Sequence, residues 1–153
     1  MDTREFRSLF LRTIDNQDNP YHPLVWINGT PEIGAGTFIG AFSEVYSKGA
    51  RVIIGERCDI GSFVAINVAD SHRRCLGLST TNDCRDIVIE DHVFIGTHCA
   101  VLGGAVIGHH SVIAAGTIVR AGTVPPFSLV IGAEIKAGYY RTEYDRSHRS
   151  AHD

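Results

Sequence analysis

A carboxylate and an imidazole lie close together near the middle of the chain, and they are the first candidates for chemistry. The segment Ala69-Asp70-Ser71-His72 places an aspartate two residues before a histidine. Histidine is the side chain best suited to accept a proton near neutral pH, and a neighbouring carboxylate can orient its ring through a hydrogen bond. We therefore predict that His72 is a general base oriented by Asp70. The alternative is an ordinary exposed histidine in a loop.

The elements that must position this pair follow from a repeat of six residues. An aliphatic residue recurs at this spacing as Ile27, Ile33, Ile39 and Val45, then as Ile54, Ile60 and Ile66, and last as Ile89, Ile95, Val101, Ile107, Ile113, Val119 and Ile131, with Pro125 as a lapse. This period suits neither an α-helix nor a single long strand, and it fits a coil of three short strands with the aliphatic residues inward. One coil would take about 18 residues and stack on the next at about 4.8 Å. The sequence therefore predicts an all-β triangular prism. A sandwich or barrel is disfavoured, because its turns recur about every 8 to 12 residues.

The repeat also divides the chain into segments. Residues 4–14 carry apolar side chains at helical spacing and predict a short helix that caps the first coil. Residues 1–26 thus form the N-terminal helix and the chain leading into the repeat, 27–136 the β-helix domain, and 137–153 a C-terminal arm. Within the domain, residues 72–88 lack the repeat, so we predict a loop that protrudes from the prism. Solenoids often bind ligands at such loops.

Composition and charge narrow the range of partners. The 14 Lys+Arg against 17 Asp+Glu give a formal net charge of -3, which does not favour nucleic acid or an anionic membrane surface. Residues 1–14 mix charged with apolar side chains and predict neither a signal peptide nor a membrane span. We therefore expect a cytoplasmic protein with a small-molecule partner. The four cysteines should be free thiols, because the spacing of Cys58, Cys75, Cys84 and Cys99 matches no metal or disulfide motif.

The repeat resembles that of a known family, the hexapeptide-repeat acyltransferases. The pattern [LIV]-[GAED]-x-x-[STAV]-x runs through residues 27–136, and the stretch from Ile87 to Arg141 is similar to the C-terminal half of these enzymes, including segments 113–117 and 124–132. The resemblance implies a left-handed parallel β-helix that assembles as a homotrimer. It also implies transfer of an acetyl or related acyl group from acyl-coenzyme A to a hydroxyl or amine of a sugar, such as a nucleotide-linked amino sugar of cell-surface polysaccharide biosynthesis.

The same resemblance implies where the site residues lie. In the sugar-modifying members a histidine at the start of an extruded loop is the catalytic base, and His72 occupies that place. The phosphates of the coenzyme commonly meet the late coils, where Arg120, Lys136 and Arg141 lie, and backbone groups hold its pantetheine arm in a groove between subunits. We therefore expect His72 and Asp70 as catalytic residues, the three cations as coenzyme-binding residues, and acetyl-CoA as co-substrate.

Two other functions remain open from the sequence. Carbonic anhydrases of the γ class share this fold and use three histidines, and His92, His98 and His110 occupy equivalent positions of their hexads. The His-x-x-x-x-His step of those enzymes would need a histidine at Gly103 if His98 began it. A surface ladder without metal is therefore the preferred interpretation, with His92 stacked on His110 one coil later. A non-catalytic assembly module is the second alternative, and the long loop at 72–88 argues against it because a scaffold needs none.

Overall fold

The computed structural model describes residues 1–149, which form three helices and 18 strands. The helices are α1 (Thr3–Thr13), α2 (His72–Cys75) and α3 (Arg141–Arg149). The strands are β1 (Trp26–Asn28), β2 (Glu32–Ile33), β3 (Phe38–Ile39), β4 (Glu44–Tyr46), β5 (Val52–Ile54), β6 (Asp59–Ile60), β7 (Ala65–Asn67), β8 (Ala69–Asp70), β9 (Asp83–Cys84), β10 (Ile87–Ile89), β11 (Phe94–Ile95), β12 (Ala100–Leu102), β13 (Ala105–Ile107), β14 (Val112–Ile113), β15 (Ile118–Val119), β16 (Gly122–Val124), β17 (Leu129–Ile131) and β18 (Glu134–Lys136). Within residues 1–149, every helix is too short or too polar to reach across a lipid bilayer.

The strands form the three flat sides of a prism. Side 1 contains β1, β4, β7, β12 and β15, side 2 contains β2, β5, β10, β13 and β16, and side 3 contains β3, β6, β11, β14 and β17. Each of these strands pairs in parallel with its neighbours on the same side, and β18 turns back antiparallel to β17 at the end of side 3. The chain visits the sides in the order 1, 2, 3 in every coil, so the corners are named 1–2, 2–3 and 3–1. The predicted all-β fold, a left-handed parallel β-helix, is confirmed.

The core is a set of aliphatic columns that run along the prism axis. On side 3, Ile39 pairs with Ile60, Ile60 with Ile95, and Ile95 with Ile113, and all four side chains are buried. Full burial of such a side chain stabilises a protein by roughly 1.5–3 kcal/mol. Since each short strand would be unstable alone, the stacking of coils is what holds the strands in place.

The last coil corrects one detail of the expected repeat. Val124 pairs with Ile107, and Val130 pairs with Ile113, so this coil is one residue shorter than the coil before it. Val124 and Val130 are therefore the inward residues. Ile131, which the repeat placed in the core, is 47% exposed. The reason is that a proline has no N–H for the strand ladder, and Pro125 falls just beyond β16 instead of within it.

The short N-terminal helix is confirmed, one residue earlier than predicted at each end. Asp2 and Glu5 form a reciprocal capping box, in which each side chain accepts a hydrogen bond from the backbone N–H of the other. The Arg7 guanidinium donates hydrogen bonds to the carbonyls of Asn19 and Tyr21. The helix is thereby fixed to the chain that leads into the first coil.

The loop predicted at 72–88 is also confirmed, and it has internal structure. It leaves the prism at corner 1–2, begins with α2, and returns through β9, which pairs antiparallel with β8. Side 2 resumes at Ile87, so the loop ends two residues before its predicted end. At its base Arg51 donates two side-chain hydrogen bonds to Asp86, at 3.0 and 3.1 Å, so the returning chain is tied to the preceding coil.

The C-terminal segment packs against the last coils. Tyr144 of α3 makes edge contacts with the rings of His110 and Phe127 at corner 2–3, with ring centres 4.7 and 5.1 Å away. Residues 150–153 of the predicted arm lie outside the described residues. The helix α3 therefore occupies one corner of the prism and leaves corner 1–2 open.

Candidate active site

His72 and Asp70 form a close pair at the root of the loop. The side chain of Asn67 accepts a hydrogen bond from the backbone N–H of Ala69 at 2.8 Å, which turns the chain out of side 1. Asp70 then ends β8, and its Oδ1 accepts two hydrogen bonds from His72, one from the backbone N–H at 3.0 Å and one from ring Nδ1 at 2.6 Å. The sequence prediction placed these two residues together, and the structure does the same.

The pair has the geometry of a base and its orienting group. The hydrogen bonds from the backbone and the ring of His72 hold the pKa of the Asp70 carboxyl below its usual value, so this carboxyl is ionised near neutral pH. Because a carboxylate only accepts hydrogen bonds, ring Nδ1 must donate. The other ring nitrogen, Nε2, then has a free lone pair with which to accept a proton.

A cavity of about 490 Å³ opens beside Asp70, and His72 is held next to it by its hydrogen bonds to Asp70. It lies at corner 1–2, between the root of the loop and the two following coils. Its lining includes Asn67, Asp70, Asp83, Arg85, Leu102 and Arg120. We refer to it as the loop cavity. Its charged lining suits a polar substrate.

Arg120 also borders a second cavity, of about 450 Å³, at the C-terminal end of the prism. Most of the lining of this end cavity is apolar and comes from Ile118, Val119, Val124, Val130 and Ile135. Its floor is β15, the last strand of side 1, so one edge of the β15 backbone has no neighbouring strand among the described residues. Arg120 and Ala121 line both cavities, which therefore adjoin at corner 1–2.

The structure separates Lys136 and Arg141 from this arrangement. Lys136 pairs with Leu129 at the corner 2–3 end of side 3, and its Nζ lies 3.9 Å from the Glu134 carboxylate. The guanidinium of Arg141 lies over the Phe127 ring, 4.2 Å from its centre. These two cations thus share the C-terminal end of the prism with Arg120 but lie at a different corner.

Two of the three histidines expected to form a surface ladder, His92 and His110, lie along corner 2–3. His92 and His110 stack with ring centres 4.7 Å apart, as their 18-residue spacing predicts, and Phe127 continues the stack at 5.0 Å. His98 lies at corner 3–1, stacked on Phe63. Within residues 1–149, no three His, Cys, Asp or Glu side chains are placed to hold one metal ion.

Arg85 is the residue of the site that the sequence did not single out. It follows β9 at the end of the loop, and its backbone N–H donates to the Val68 carbonyl at 3.1 Å. The hairpin of β8 and β9 therefore brings Arg85 back beside Asp70. The sequence does mark Arg85 as the last cation before the repeat resumes. However, its position in the loop cavity follows only from the pairing of β8 with β9.

Comparison with known proteins agrees with the repeat and the fold. Residues 86–121 match the family described as bacterial transferase hexapeptide (six repeats). The chain is 29% identical over 119 residues to a 2,3,4,5-tetrahydropyridine-2,6-dicarboxylate N-succinyltransferase of Xylella fastidiosa (strain Temecula1 / ATCC 700964), an alignment that covers 69% of this chain and 39% of that protein. The chain thus spans about two fifths of the length of the curated relatives it matches.

Two solved structures extend the comparison. The hexapeptide-repeat containing acetyltransferase VCA0836 of Vibrio cholerae O1 biovar eltor, complexed with acetyl coenzyme A, superposes with a TM-score of 0.67 at 29% identity, covering 89% of this chain and 76% of that one. The polySia specific acetyltransferase NeuO superposes with a TM-score of 0.59 at 28% identity, covering 73% of this chain and 55% of that one.

Proposed function

We propose, from the premise that this chain belongs to the hexapeptide-repeat family of left-handed β-helices, that it is an acyltransferase. It moves an acetyl or related acyl group from acyl-coenzyme A to a hydroxyl or amine of a sugar, with His72 as general base. The observation that carries the proposal is the His72–Asp70 pair, hydrogen-bonded at 2.6 Å, in which Asp70 lines a polar cavity at the root of the loop.

The proposed reaction needs one base and no change of oxidation state. Nε2 of His72 takes the proton from the acceptor hydroxyl or amine as its oxygen or nitrogen bonds to the acyl carbonyl carbon. The carbon–sulfur bond of the thioester then breaks, and the coenzyme sulfur takes the proton back from the imidazolium. Asp70 accepts a hydrogen bond from Nδ1 throughout and so keeps the ring oriented. The products are an acylated acceptor and free coenzyme thiol.

The end cavity fits the coenzyme better than the loop cavity does. A pantetheine arm is long, thin and largely apolar with two amide groups, and an apolar groove beside an unpaired strand edge supplies both kinds of contact. Acetyl-CoA would then approach His72 past Arg120, which borders both cavities. The position of Arg120 favours a contact near the reacting end of the coenzyme. Lys136 and Arg141, farther round the end of the prism, would contact its phosphates.

A sugar acceptor is supported by the polar loop cavity and by the likeness to a polySia specific acetyltransferase. Within this proposal the acceptor is a nucleotide-linked amino sugar used in polysaccharide biosynthesis. The net charge of -3 gives no general attraction to nucleic acid or to an anionic membrane. We further propose that the reaction takes place in the cytoplasm, with acetyl-CoA as co-substrate and no metal.

A homotrimer is part of the same proposal. Large apolar side chains are exposed on adjoining surfaces of the prism, namely Phe38 and Phe94 on side 3, Phe42 and Phe63 at corner 3–1, and Ile118 on side 1. An apolar surface of this extent is typical of one that is covered by another subunit. Sedimentation velocity at micromolar concentration should show a trimer, and a monomer would contradict both the assembly and a coenzyme groove between subunits.

The test of the catalytic proposal is replacement of His72 by alanine. Loss of a general base should lower turnover by about 10²- to 10⁴-fold, measured as thiol release from acetyl-CoA with an acceptor that the wild type uses. His98→Asn is the matched control, because His98 is an exposed histidine at another corner and asparagine tolerates its positive φ of 58°. Near-normal turnover in His72→Ala would exclude His72 as the base.

The coenzyme contacts are tested separately by titration calorimetry. Coenzyme A should bind the wild type, and the Lys136→Ala, Arg141→Ala double variant should bind it more weakly, with a difference that shrinks as salt is added. Arg57→Ala is the control, since this exposed arginine lies three coils earlier at corner 2–3. Unchanged affinity in the double variant would remove the two residues from the site. No binding to the wild type would contradict the acyltransferase proposal itself.

A further inference from the structure

Two arginines, Arg85 and Arg120, line the loop cavity. Arg85 reaches the cavity from the end of the loop, and Arg120 reaches it from the coil nearest the C-terminal end. The side chain of Arg85 passes close to Gly104, which has a φ of 92° and no side chain. A Cβ built at Gly104 would lie 3.5 Å from the Arg85 guanidinium and 3.0 Å from the Ala121 side chain. The guanidinium of Arg85 thus lies across corner 1–2, toward the coil that carries Arg120.

Neither arginine has a carboxylate oxygen within 4 Å in the part of the chain that the structure describes, although the charge of Arg85 helps to lower the pKa of the Asp70 carboxyl. The ion pairs there join Arg51 to Asp86, His72 to Asp70 and Lys136 to Glu134. Two carboxylates line the same cavity, but Asp70 is occupied by His72, and Asp83 lies within 4 Å of no cation. Arginine presents a planar fork of N–H donors that matches a carboxylate or a phosphate. Two such forks without partners in one cavity favour an anion between them.

We infer that Arg85 and Arg120 bind an anionic group of the acceptor, a phosphate or a carboxylate; in the nucleotide-linked sugar proposed above this group is the diphosphate. This inference rests on the proposed function, because it names a property of the acceptor used at the His72 site. Binding of the anionic group fixes one end of the acceptor. The hydroxyl or amine of the acceptor can then be positioned against Nε2 of His72, ready for attack on the thioester. Asp83 repels an anion placed at its own end of the cavity, which directs the anionic group toward the two arginines.

Binding alone can be tested without any reaction. Arginine Nε–H resonances are followed by NMR during titration of the full chain with inorganic phosphate and with glucosamine 6-phosphate. The signals of Arg85 and Arg120 should shift saturably with both probes, while Arg57, an exposed arginine at another corner, should not. Glucosamine, which lacks the anion, should shift them less. An Arg85→Gln, Arg120→Gln double variant should lose saturable binding. If neither anionic probe shifts the two signals in the wild type, the inference is wrong.

Kinetics test the same site with matched acceptors, such as glucosamine 6-phosphate against glucosamine, and glucuronate against glucose. Arg85→Gln should raise the KM of the anionic acceptor roughly ten- to hundredfold, as expected for a lost charge-assisted contact, and leave the coenzyme affinity unchanged. Arg85→Lys should restore part of the loss, since it keeps the charge without the fork. Arg120→Gln should weaken both substrates, because Arg120 lines both cavities. Arg57→Gln should change neither.

The outcomes separate this inference from the function on which it rests. Transfer to neutral acceptors with equal or better kcat/KM would overturn the anionic acceptor and leave the acyltransferase intact. Phosphate binding at Arg85 in a chain that binds no coenzyme A would support the anion site and contradict the proposed function. Equal kinetics of wild type and Arg85→Gln with an anionic acceptor would remove Arg85 from the site.

Discussion

Replacing Asp70 by asparagine or by alanine separates two contributions that this carboxylate makes to His72. Oδ1 accepts hydrogen bonds from both the backbone N–H and ring Nδ1 of His72. Asparagine keeps an oxygen at that place and loses only the charge, whereas alanine removes both bonds and frees the ring. Loss of the orienting carboxylate costs about 10⁴-fold in a buried serine protease triad. Here the two side chains are 56% and 63% exposed, so solvent screens the charge.

From this geometry we expect roughly a three- to tenfold loss of kcat/KM for Asp70→Asn and roughly a 10- to 100-fold loss for Asp70→Ala. The assay is thiol release from acetyl-CoA with an acceptor that the wild type uses. The sharper measurement is a double-mutant cycle with His72→Ala. If Asp70 acts through His72, its replacement should have little further effect once His72 is absent. An Asp70→Ala effect of the same size in both backgrounds would refute the pairing.

Three further predictions concern the scaffold. Ile95→Ala should lower the free energy of unfolding by about 2–5 kcal/mol in denaturant titrations, because Ile95 is fully buried, while Leu76→Ala on the exposed loop should change it by less than about 0.5 kcal/mol. Gly55→Ala should also destabilise, since a Cβ there would lie 2.2 Å from an Asp91 carboxylate oxygen and 2.6 Å from the Asp91 backbone nitrogen. Burial, and then the charges of nearby histidines, lower the pKa of His110, against the opposing charge of Asp91. The folded state therefore resists protonation of His110. The stability that neutral His110 contributes is fully present above the ordinary histidine pKa, and it is lost as the pH falls through the lowered pKa of the folded protein. The melting temperature, measured at several pH values, should fall less on acidification in His110→Phe than in the wild type. An equal fall in both proteins would contradict this prediction.

The fold was predictable because the repeat acts at every coil. Each inward aliphatic residue is buried only if the residues one coil before and after also point inward, so the pattern had to persist along the chain. The one misplaced residue, Ile131, follows from a coil shortened by one position. Val124 and Pro125 are both apolar, so the sequence alone does not tell which of them points inward. The pairing of Val124 with Ile107 in the structure decides it.

The candidate site was only partly predictable. Asp70 and His72 are two residues apart, so a local turn suffices to join them. Arg85 reaches the same cavity only through the pairing of β8 with β9, and the amino-acid types alone do not fix that hairpin. Conversely, Arg120 and Arg141 are equally plausible as late cations in the sequence, but they lie at different corners because Arg141 follows the antiparallel strand β18, where the regular coil has ended.

Every change in the length of a coil occurs at corner 1–2 in the described chain. Side 1 and side 2 are joined there by three extra residues between β4 and β5, by the loop between β7 and β10, and by a connection one residue short between β15 and β16. Corners 2–3 and 3–1 instead repeat one bend, with residues of positive φ stacked on each other coil after coil. A regular corner is fixed by its neighbours above and below, so it has little freedom to form a site. Corner 1–2 is released from that constraint at three of the five described coils, and there the loop, the His72–Asp70 pair and both cavity arginines meet. The breaks in the repeat, more than the repeat itself, thus indicate where this prism acts on a substrate.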